Sequence, residues 1–273
     1  MRETLAALEA GEIGVGEAES RLAGYATTDA GRFDAARERR RGIPEAILAE
    51  GKTPAEVAAL ATTALETTGR ALVTRADEAT ASVVASAVGG GDREETVGGG
   101  DREETVGGGD PGATVDRDDR TGTVVAHAAD FEPPSLDAAV AVVAAGTADA
   151  PVAGEAAVVA REVGATVDRV DDVGVANLDR ILDQVDRIRG ADVVVVAAGR
   201  EGALPTVVAG LVDAPVIAVP VSTGYGVGGE GVAALEGALQ SCSVLTTVNV
   251  DAGFVAGAQA GLIARAVDAA RDE

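Results

Sequence analysis

The chain of 273 residues holds one cysteine, one histidine, one lysine and no tryptophan. A single cysteine excludes an intramolecular disulfide framework and any cysteine-rich metal site, and it is compatible with a reducing compartment. The only histidine, His127, sits in the strand-like stretch "GTVVAHA" outside the C-terminal half, so neither a histidine-based triad nor a histidine metal site can be assembled. With only two tyrosines and three phenylalanines, the core must be fine-grained, built mostly of Ala and Val. The longest apolar runs are interrupted by Gly, Asp or Pro and fall short of a membrane span. The opening "MRETLAALEAGEIG" lacks the apolar region of a signal peptide, so a cytoplasmic location is expected.

Positive charge is also scarce. The chain has 45 acidic against 22 basic side chains, a formal charge of −23. A general nucleic-acid binder needs a basic surface for phosphate contacts and is excluded. Lys52 stands beside 21 arginines. An acidic surplus with lysine nearly absent is the composition of a halophilic protein, whose mutual repulsion concentrated salt screens. An acidic protein from a GC-rich genome has the same composition. In either case the charge describes the solvent and not the chemistry.

One repeat interrupts the chain, "GGGDREETVGGGDREETVGGGD" at residues 89–110. Such a segment, rich in Gly and charge, buries too little apolar area to offset its ordering entropy, which predicts a disordered insert over 88–121. A calcium-binding nonapeptide array is disfavoured, because two copies are too few and each turn lacks its apolar position. Before the insert, "MRETLAALEAGEI", "GEAESRLA", "PEAILAE" and "TPAEVAALATTALETTG" read as helices, the last two with Pro at their starts. "RALVTR" reads as a strand, "ADEATASVVASAV" as a helix and "GTVVAHA" as a strand. Residues 1–130 are therefore expected to form a small α+β N-terminal domain.

The second domain, 131–273, alternates strand and helix five times. "AAVAVVAAG", "ATVDRVDDVGV", "ADVVVVAAG", "PVIAVPVS" and "VLTTVNVDAG" are the strands. "GEAAVVAREVG", "NLDRILDQVDRIRG", "ALPTVVAGLVD", "GVAALEGALQS" and "FVAGAQAGLIARAVDAARDE" are the helices. Near-continuous Val/Ala/Ile runs belong to strands covered on both faces. Right-handed crossovers then give an α/β fold with a doubly wound parallel sheet, whose ligand lies beyond the carboxyl ends of its strands. Those ends carry Gly146, Thr147 and Asp149; Asp172 and Gly174; Gly199, Arg200, Glu201 and Gly202; Ser222, Thr223, Gly224, Tyr225 and Gly226; and Asn249 and Asp251. Glycine lets backbone N–H groups approach a ligand and helix N-termini favour anions, so a phosphate or carboxylate ligand is expected. The "GYGVGG" at 224–229 follows the fourth strand, which is the wrong context for a dinucleotide fingerprint. Glu201 reads either as a general base or as a carboxylate stabilised by the helix dipole. Cys242, in "LQSCSVLTTVNVDAGF", reads either as a small apolar filler or as a nucleophile.

Three stretches resemble one family. "GTADAPVAGEAAVVAREVGATVDRVDDVGVANLDRIL", "AAGREGALPTVVAGLVDAPVIAVPVSTGYG" and "LQSCSVLTTVNVDAGF" are together similar to the LarB family, whose C-terminal half is similar to PurE, an aminoimidazole ribonucleotide carboxylase. The N-terminal "FDAARERRRGIPEAILAEGKTPAEV" resembles the same family through Asp34, Arg37, Arg40, Gly42, Pro44, Glu45, Gly51, Lys52 and Thr53. The resemblance spans nearly the whole chain except the repeat, and it implies a PurE-like, flavodoxin-like sheet. It also implies a reaction that begins synthesis of the nickel-pincer nucleotide cofactor. Nicotinic acid adenine dinucleotide would be carboxylated at carbon-5 of its pyridinium ring and hydrolysed to AMP and pyridinium-3,5-biscarboxylic acid mononucleotide. Cys242 would be the nucleophile and Glu201 the base, with the strand-end residues above binding substrate. No tightly bound cofactor is implied. CO2 or bicarbonate is the co-substrate, Mg2+ is compatible with a diphosphate, and Asp149, Asp172 and Asp251 are available to it. The expected partner is a second copy of the chain in a homo-oligomer, an octamer by resemblance.

This sequence departs from the family at three positions. "GTSD" is "GTAD", which places Ala148 where a hydroxyl is expected; "GMEGALP" is "GREGALP", which adds Arg200; and the His after "GVANL" is Asp179. Two other functions stay open. One is PurE-like carboxylation of an aminoimidazole ribonucleotide, which the cysteine and the absent histidine oppose. The other is a nucleotide-binding homologue without catalysis.

Overall fold

The computed structural model describes residues 1–11, 14, 15, 18, 22–89 and 112–271. Two compact units divide the chain, Met1–Glu132 and Pro133–Glu273.

In the first unit, helix α1 (Arg2–Glu9) precedes a small antiparallel hairpin, β1 (Ala26–Thr28) and β2 (Gly31–Phe33). Helix α2 (Arg37–Arg41) stops at Gly42, whose φ of 74° a side-chain-bearing residue would strain to adopt. Strand β3 (Ile47–Leu48), helix α3 (Pro54–Thr68), strand β4 (Arg70–Thr74), helix α4 (Glu78–Val88) and strands β5 (Thr114–Asp118) and β6 (Thr123–His127) follow. The sheet order is β3-β4-β6-β5, with only β3–β4 parallel. Helix α3 starts at a capping box: the Thr53 hydroxyl accepts from the Glu56 N–H, and the Glu56 carboxylate accepts from the Thr53 N–H. Its buried face, Val57, Leu60, Ala61, Ala64 and Leu65, packs with Val73, Val84, Val88 and Val124.

Two expectations are corrected here. "PEAILAE" is not a helix, because Ile47 and Leu48 pair with Val73 and Thr74 at the sheet edge. Seven residues give a helix too few internal bonds to compete with that pairing. The expected disorder of 88–121 fails at its C-terminal end, where Thr114–Asp118 pairs antiparallel with β6. The alternation there turns Val115 toward the core while Thr114, Asp116 and Asp118 face out. Asp118 then closes the turn by accepting from the N–H groups of Arg120 and Thr121. The repeat itself falls almost wholly outside the described residues, as does most of "GEAESRLA".

The second unit is the doubly wound sheet. Its strands are β7 (Ala139–Ala144), β8 (Thr166–Val170), β9 (Val193–Ala198), β10 (Val216–Pro220) and β11 (Thr246–Thr247), all parallel, in the order β11-β10-β9-β7-β8. The chain reverses direction across the sheet between β7 and β9, the switch point where such sheets open a crevice. Successive residues of a strand serve opposite layers. Val140 and Val142 face α5 (Ala150–Val163) and α10 (Gly253–Arg271) through Ala153, Ala156, Ala160, Ala256 and Ala260. Ala141 and Val143 face the other layer, where Ile181 of α6 (Leu178–Leu182), Ile188 of α7 (Val185–Arg189) and Leu204 and Val208 of α8 (Ala203–Ala209) pack. Helix α9 (Val232–Leu239) lies between β10 and β11 in the chain. Small side chains bring α10 very close to α5: a Cβ at Gly257 would lie 2.3 Å from the Ala156 carbonyl oxygen. "NLDRILDQVDRIRG", expected as one helix, is two, broken at Asp183 and Gln184. Strand β11 is shorter than "VLTTVNVDAG" suggests, because it pairs on one side only.

Candidate active site

The loops after the parallel strands are pressed together. A Cβ at Gly199 would lie 2.4 Å from the Thr223 carbonyl oxygen, so only glycine lets the β9 and β10 loops meet. A Cβ at Gly174 would lie 2.7 Å from the Ala145 carbonyl oxygen, which accepts from the Gly174 N–H at 2.8 Å. Asp172 (φ 58°), Arg200 (φ 55°) and Asp251 (φ 55°) hold left-handed backbone at the ends of β8, β9 and β11. Each costs about 1 kcal/mol or more, and such outliers gather where a site fixes its loops. Three of the five non-glycine residues with this backbone among the described residues are therefore strand-end residues.

Asp149 ties these loops together. It closes a 3₁₀ turn, Thr147–Asp149, and is 5% exposed. One carboxylate oxygen accepts from the Gly146 N–H at 2.8 Å, and the other from the Thr223 hydroxyl at 3.2 Å. Burial raises its pKa above the ordinary carboxylate value, the Gly146 and Thr223 donors and the nearby Gly199 backbone pull the other way, and the negative charge of Asp251 adds to the rise. The sequence offered Asp149 as a substrate contact, and in the structure its two oxygens accept from protein donors of the β7 and β10 loops. Asp251 is similarly committed, accepting from the Ser222 N–H at 2.8 Å. Arg180 of α6 donates to the Asp172 carboxylate at 3.0 Å, to its carbonyl at 3.1 Å and to the Gly174 carbonyl at 3.4 Å. Each of the three acids named for Mg2+ thus accepts from a protein donor on at least one carboxylate oxygen. Among the described residues no group of three or more His, Cys, Asp or Glu side chains is arranged to hold a metal ion.

Glu201 precedes α8 where α8 meets α9, and the connection leaving α9 carries Cys242. Gly202, at φ 63°, starts α8 with its Cα face against Ala234 of α9. The Glu201 carbonyl lies over Gly237 of α9, where a Cβ would come within 2.8 Å of it. Five residues beyond Gly237, Cys242 is exposed on the connection entering β11. Its two neighbours fix that connection to α8. The Thr206 hydroxyl donates to Ser241 Oγ at 2.9 Å, and the Ser243 hydroxyl donates to the Thr206 carbonyl at 3.2 Å. The Glu201 side chain is exposed, and no hydrogen bond or ion pair joins it to Cys242 among the described residues. Gly237, Thr206, Ser241 and Ser243 were not singled out from sequence; the serines flanking Cys242 were the available signal.

The remaining residues differ in setting. Thr147 and Ala148 are exposed at the 3₁₀ turn, so the hydroxyl missing at Ala148 would have faced outward. Gly224 and Gly226 flank Tyr225, which is 78% exposed and stacks with Arg200. Asn249 is exposed and accepts locally from the Val250 N–H. Asp179 is exposed on α6, and its N–H donates to the Asn177 cap. In the first unit the family-like motif is a set of internal braces. Arg37 pairs with Glu45 at 2.7 Å, Arg40 pairs with Asp34, and the Lys52 ammonium donates to the Leu48 carbonyl at 2.6 Å.

Comparison with known families matches residues 25–95 to the LarB/PurE-like N-terminal domain and residues 139–273 to AIR carboxylase. Among curated proteins the chain is similar to an uncharacterized protein, MJ0165, of Methanocaldococcus jannaschii. The two are 44% identical over 129 residues, which is 46% of this chain and 49% of the relative, so the match spans about half the length of each. The chain has the LarB architecture, an N-terminal LarB/PurE-like domain followed by an AIR carboxylase domain. The matched domains support a carboxylase-type function.

Proposed function

From that two-domain architecture we propose that the chain is a nicotinic acid adenine dinucleotide carboxylase/hydrolase. The observation that supports the reading is that α8 contacts both α9 and the Cys242 connection: its Glu201 end packs on Gly237 of α9, and its Thr206 bonds the serines on either side of Cys242. A pyridinium ring is electron-poor and does not attack CO2. Addition of the Cys242 thiolate to ring carbon-4 gives a neutral dihydropyridine whose carbon-5 is an enamine nucleophile. Carbon-5 bonds to CO2, and Glu201 takes the proton from that carbon. The carbon–sulfur bond then breaks, the thiolate leaves with its electron pair and the aromatic cation returns. Water cleaves the phosphoanhydride, releasing AMP and the biscarboxylated mononucleotide. A soft nucleophile suits this sequence because it must both add and leave. The cationic ring favours the thiolate when bound, and an exposed sulfur is open to it.

The assay is direct. The protein is mixed with nicotinic acid adenine dinucleotide and bicarbonate, and mass spectrometry follows AMP and the doubly carboxylated mononucleotide. Wild type is expected to form both. Cys242→Ser is expected to form no carboxylated product, and Glu201→Gln to slow its formation by about 100-fold or more, the usual contribution of a positioned base. Turnover of an aminoimidazole ribonucleotide in place of the dinucleotide would move the assignment to the PurE-like reaction.

A further inference from the structure

Arg200 stands where the family pattern has Met, and nothing in the mechanism uses it. Its guanidinium carbon lies 4.3 Å from the centre of the Tyr225 ring, and one terminal N–H donates to the Tyr225 hydroxyl at 3.1 Å. The pair joins the β9 loop to the β10 loop, at the place where Gly199 lets the two backbones touch. Arg200 holds its direction through left-handed backbone. In the same unit Arg169, Arg180, Arg187, Arg189 and Arg271 each pair with an aspartate. Arg200 makes no such ion pair among the described residues, although acidic side chains outnumber basic ones two to one. It spends one donor on the Tyr225 hydroxyl and leaves the rest of its planar fork exposed. Tyr225 in turn covers one ring face with the guanidinium and is otherwise open to solvent. In a chain with five aromatic side chains from Phe, Tyr and Trp, an exposed ring stacked under an unpaired cation is an unusual expense.

We propose that Arg200 and Tyr225 form the seat of a nucleoside 5′-phosphate. The guanidinium receives phosphate oxygens through its free N–H groups, a geometry that arginine matches with two parallel bonds. The open face of Tyr225 receives the purine, since stacking on an aromatic ring is tolerant of base identity. This assignment rests on the proposed reaction and deepens it: the seat takes the adenylate half of the dinucleotide and leaves the pyridinium half for the α8–α9 corner.

Equilibrium binding of AMP and of adenosine to the full chain tests it without turnover. Wild type is expected to bind AMP at least about 10-fold more tightly than adenosine. Arg200→Met should lower AMP affinity by about 10-fold or more while leaving adenosine unchanged. Tyr225→Ala should weaken both ligands, and Tyr225→Phe, which keeps the ring, should restore adenosine binding. Both side chains are exposed, so the variants are expected to melt with wild type, and circular dichroism checks this. The seat is overturned if wild type binds neither ligand, or if both variants bind AMP as wild type does. AMP binding with this pattern but no carboxylated product would keep the seat and reject the reaction; product formation with unchanged AMP binding would do the reverse.

Discussion

Removing the Asp149 side chain should loosen the whole strand-end layer. Asp149→Ala leaves the Gly146 N–H and the Thr223 hydroxyl without their acceptor. Each orphaned donor costs about 1–3 kcal/mol, so a loss of about 2–5 kcal/mol is expected. For a unit of this size that lowers the melting temperature by roughly 5–20 °C. Asp149→Asn keeps an acceptor for the Gly146 N–H and presents an amide donor that the Thr223 hydroxyl can accept by turning over. It should fall well short of the alanine loss. The two variants also separate the charge from the contacts. Burial raises the Asp149 pKa above the ordinary value of 3.8, so the folded state takes up this proton at a higher pH than the unfolded chain does. Wild-type stability therefore gains from this group as pH falls through the raised value, and the gain is complete near the unfolded value. Asparagine has no such gain. The stability of Asp149→Asn relative to wild type should be highest at neutral pH and decline toward about pH 4, because the other carboxylates titrate alike in both proteins. Urea denaturation of wild type and both variants across this range measures it. An alanine variant as stable as wild type, or an Asn-to-wild-type difference that is flat or grows on acidification, would refute the reasoning.

Two further outcomes follow from other parts of the structure. Gly199→Ala drives a Cβ into the Thr223 carbonyl at 2.4 Å, a backbone atom that no rotamer change can move aside. It should cost about 1–3 kcal/mol and weaken AMP binding by separating Arg200 from Tyr225, read by denaturation and equilibrium dialysis. Leu239 and Val244 are exposed apolar side chains on either side of Cys242 in the sequence. If they cover a neighbouring copy, analytical ultracentrifugation of wild type should show several 26.9 kDa chains together, and a Leu239→Glu, Val244→Glu double variant should sediment smaller; a wild-type monomer would contradict this.

The central strands were legible because "VVVVAA" and "VIAVP" are apolar at successive positions, as in a strand buried on both faces. The helix read into "PEAILAE" failed because sheet pairing with β4, a contact about 26 residues away, outweighs local propensity. Strand β5 was hidden by its neighbour, since a glycine-rich repeat dominates the composition around "ATVDRDD". At the site, the sequence offered the strand-end glycines as an approach for a ligand, and in the structure Gly174 and Gly199 let neighbouring loops meet. What each polar side chain does there was not legible. Asp149 reads as a ligand contact in a linear motif, and it becomes a strut only when the sheet order sets β7 beside β9 and β9 beside β10. The Arg200–Tyr225 pair spans 25 positions and depends on the same adjacency. Cys242 and Glu201 were joined by family resemblance alone, and the hydrogen bonds that tie the Cys242 connection to α8, Thr206 with Ser241 and Ser243, needed the packing of the folded unit.

Covalent addition of Cys242 to the pyridinium ring is the central claim, and it can be seen with CO2 withheld. Wild type mixed with nicotinic acid adenine dinucleotide in bicarbonate-free buffer should develop the near-ultraviolet absorbance of a dihydropyridine. The band should discharge to the carboxylated product on adding bicarbonate, and Cys242→Ser should show neither. A Cys242→Ser protein that forms the carboxylated mononucleotide at the wild-type rate would contradict the account.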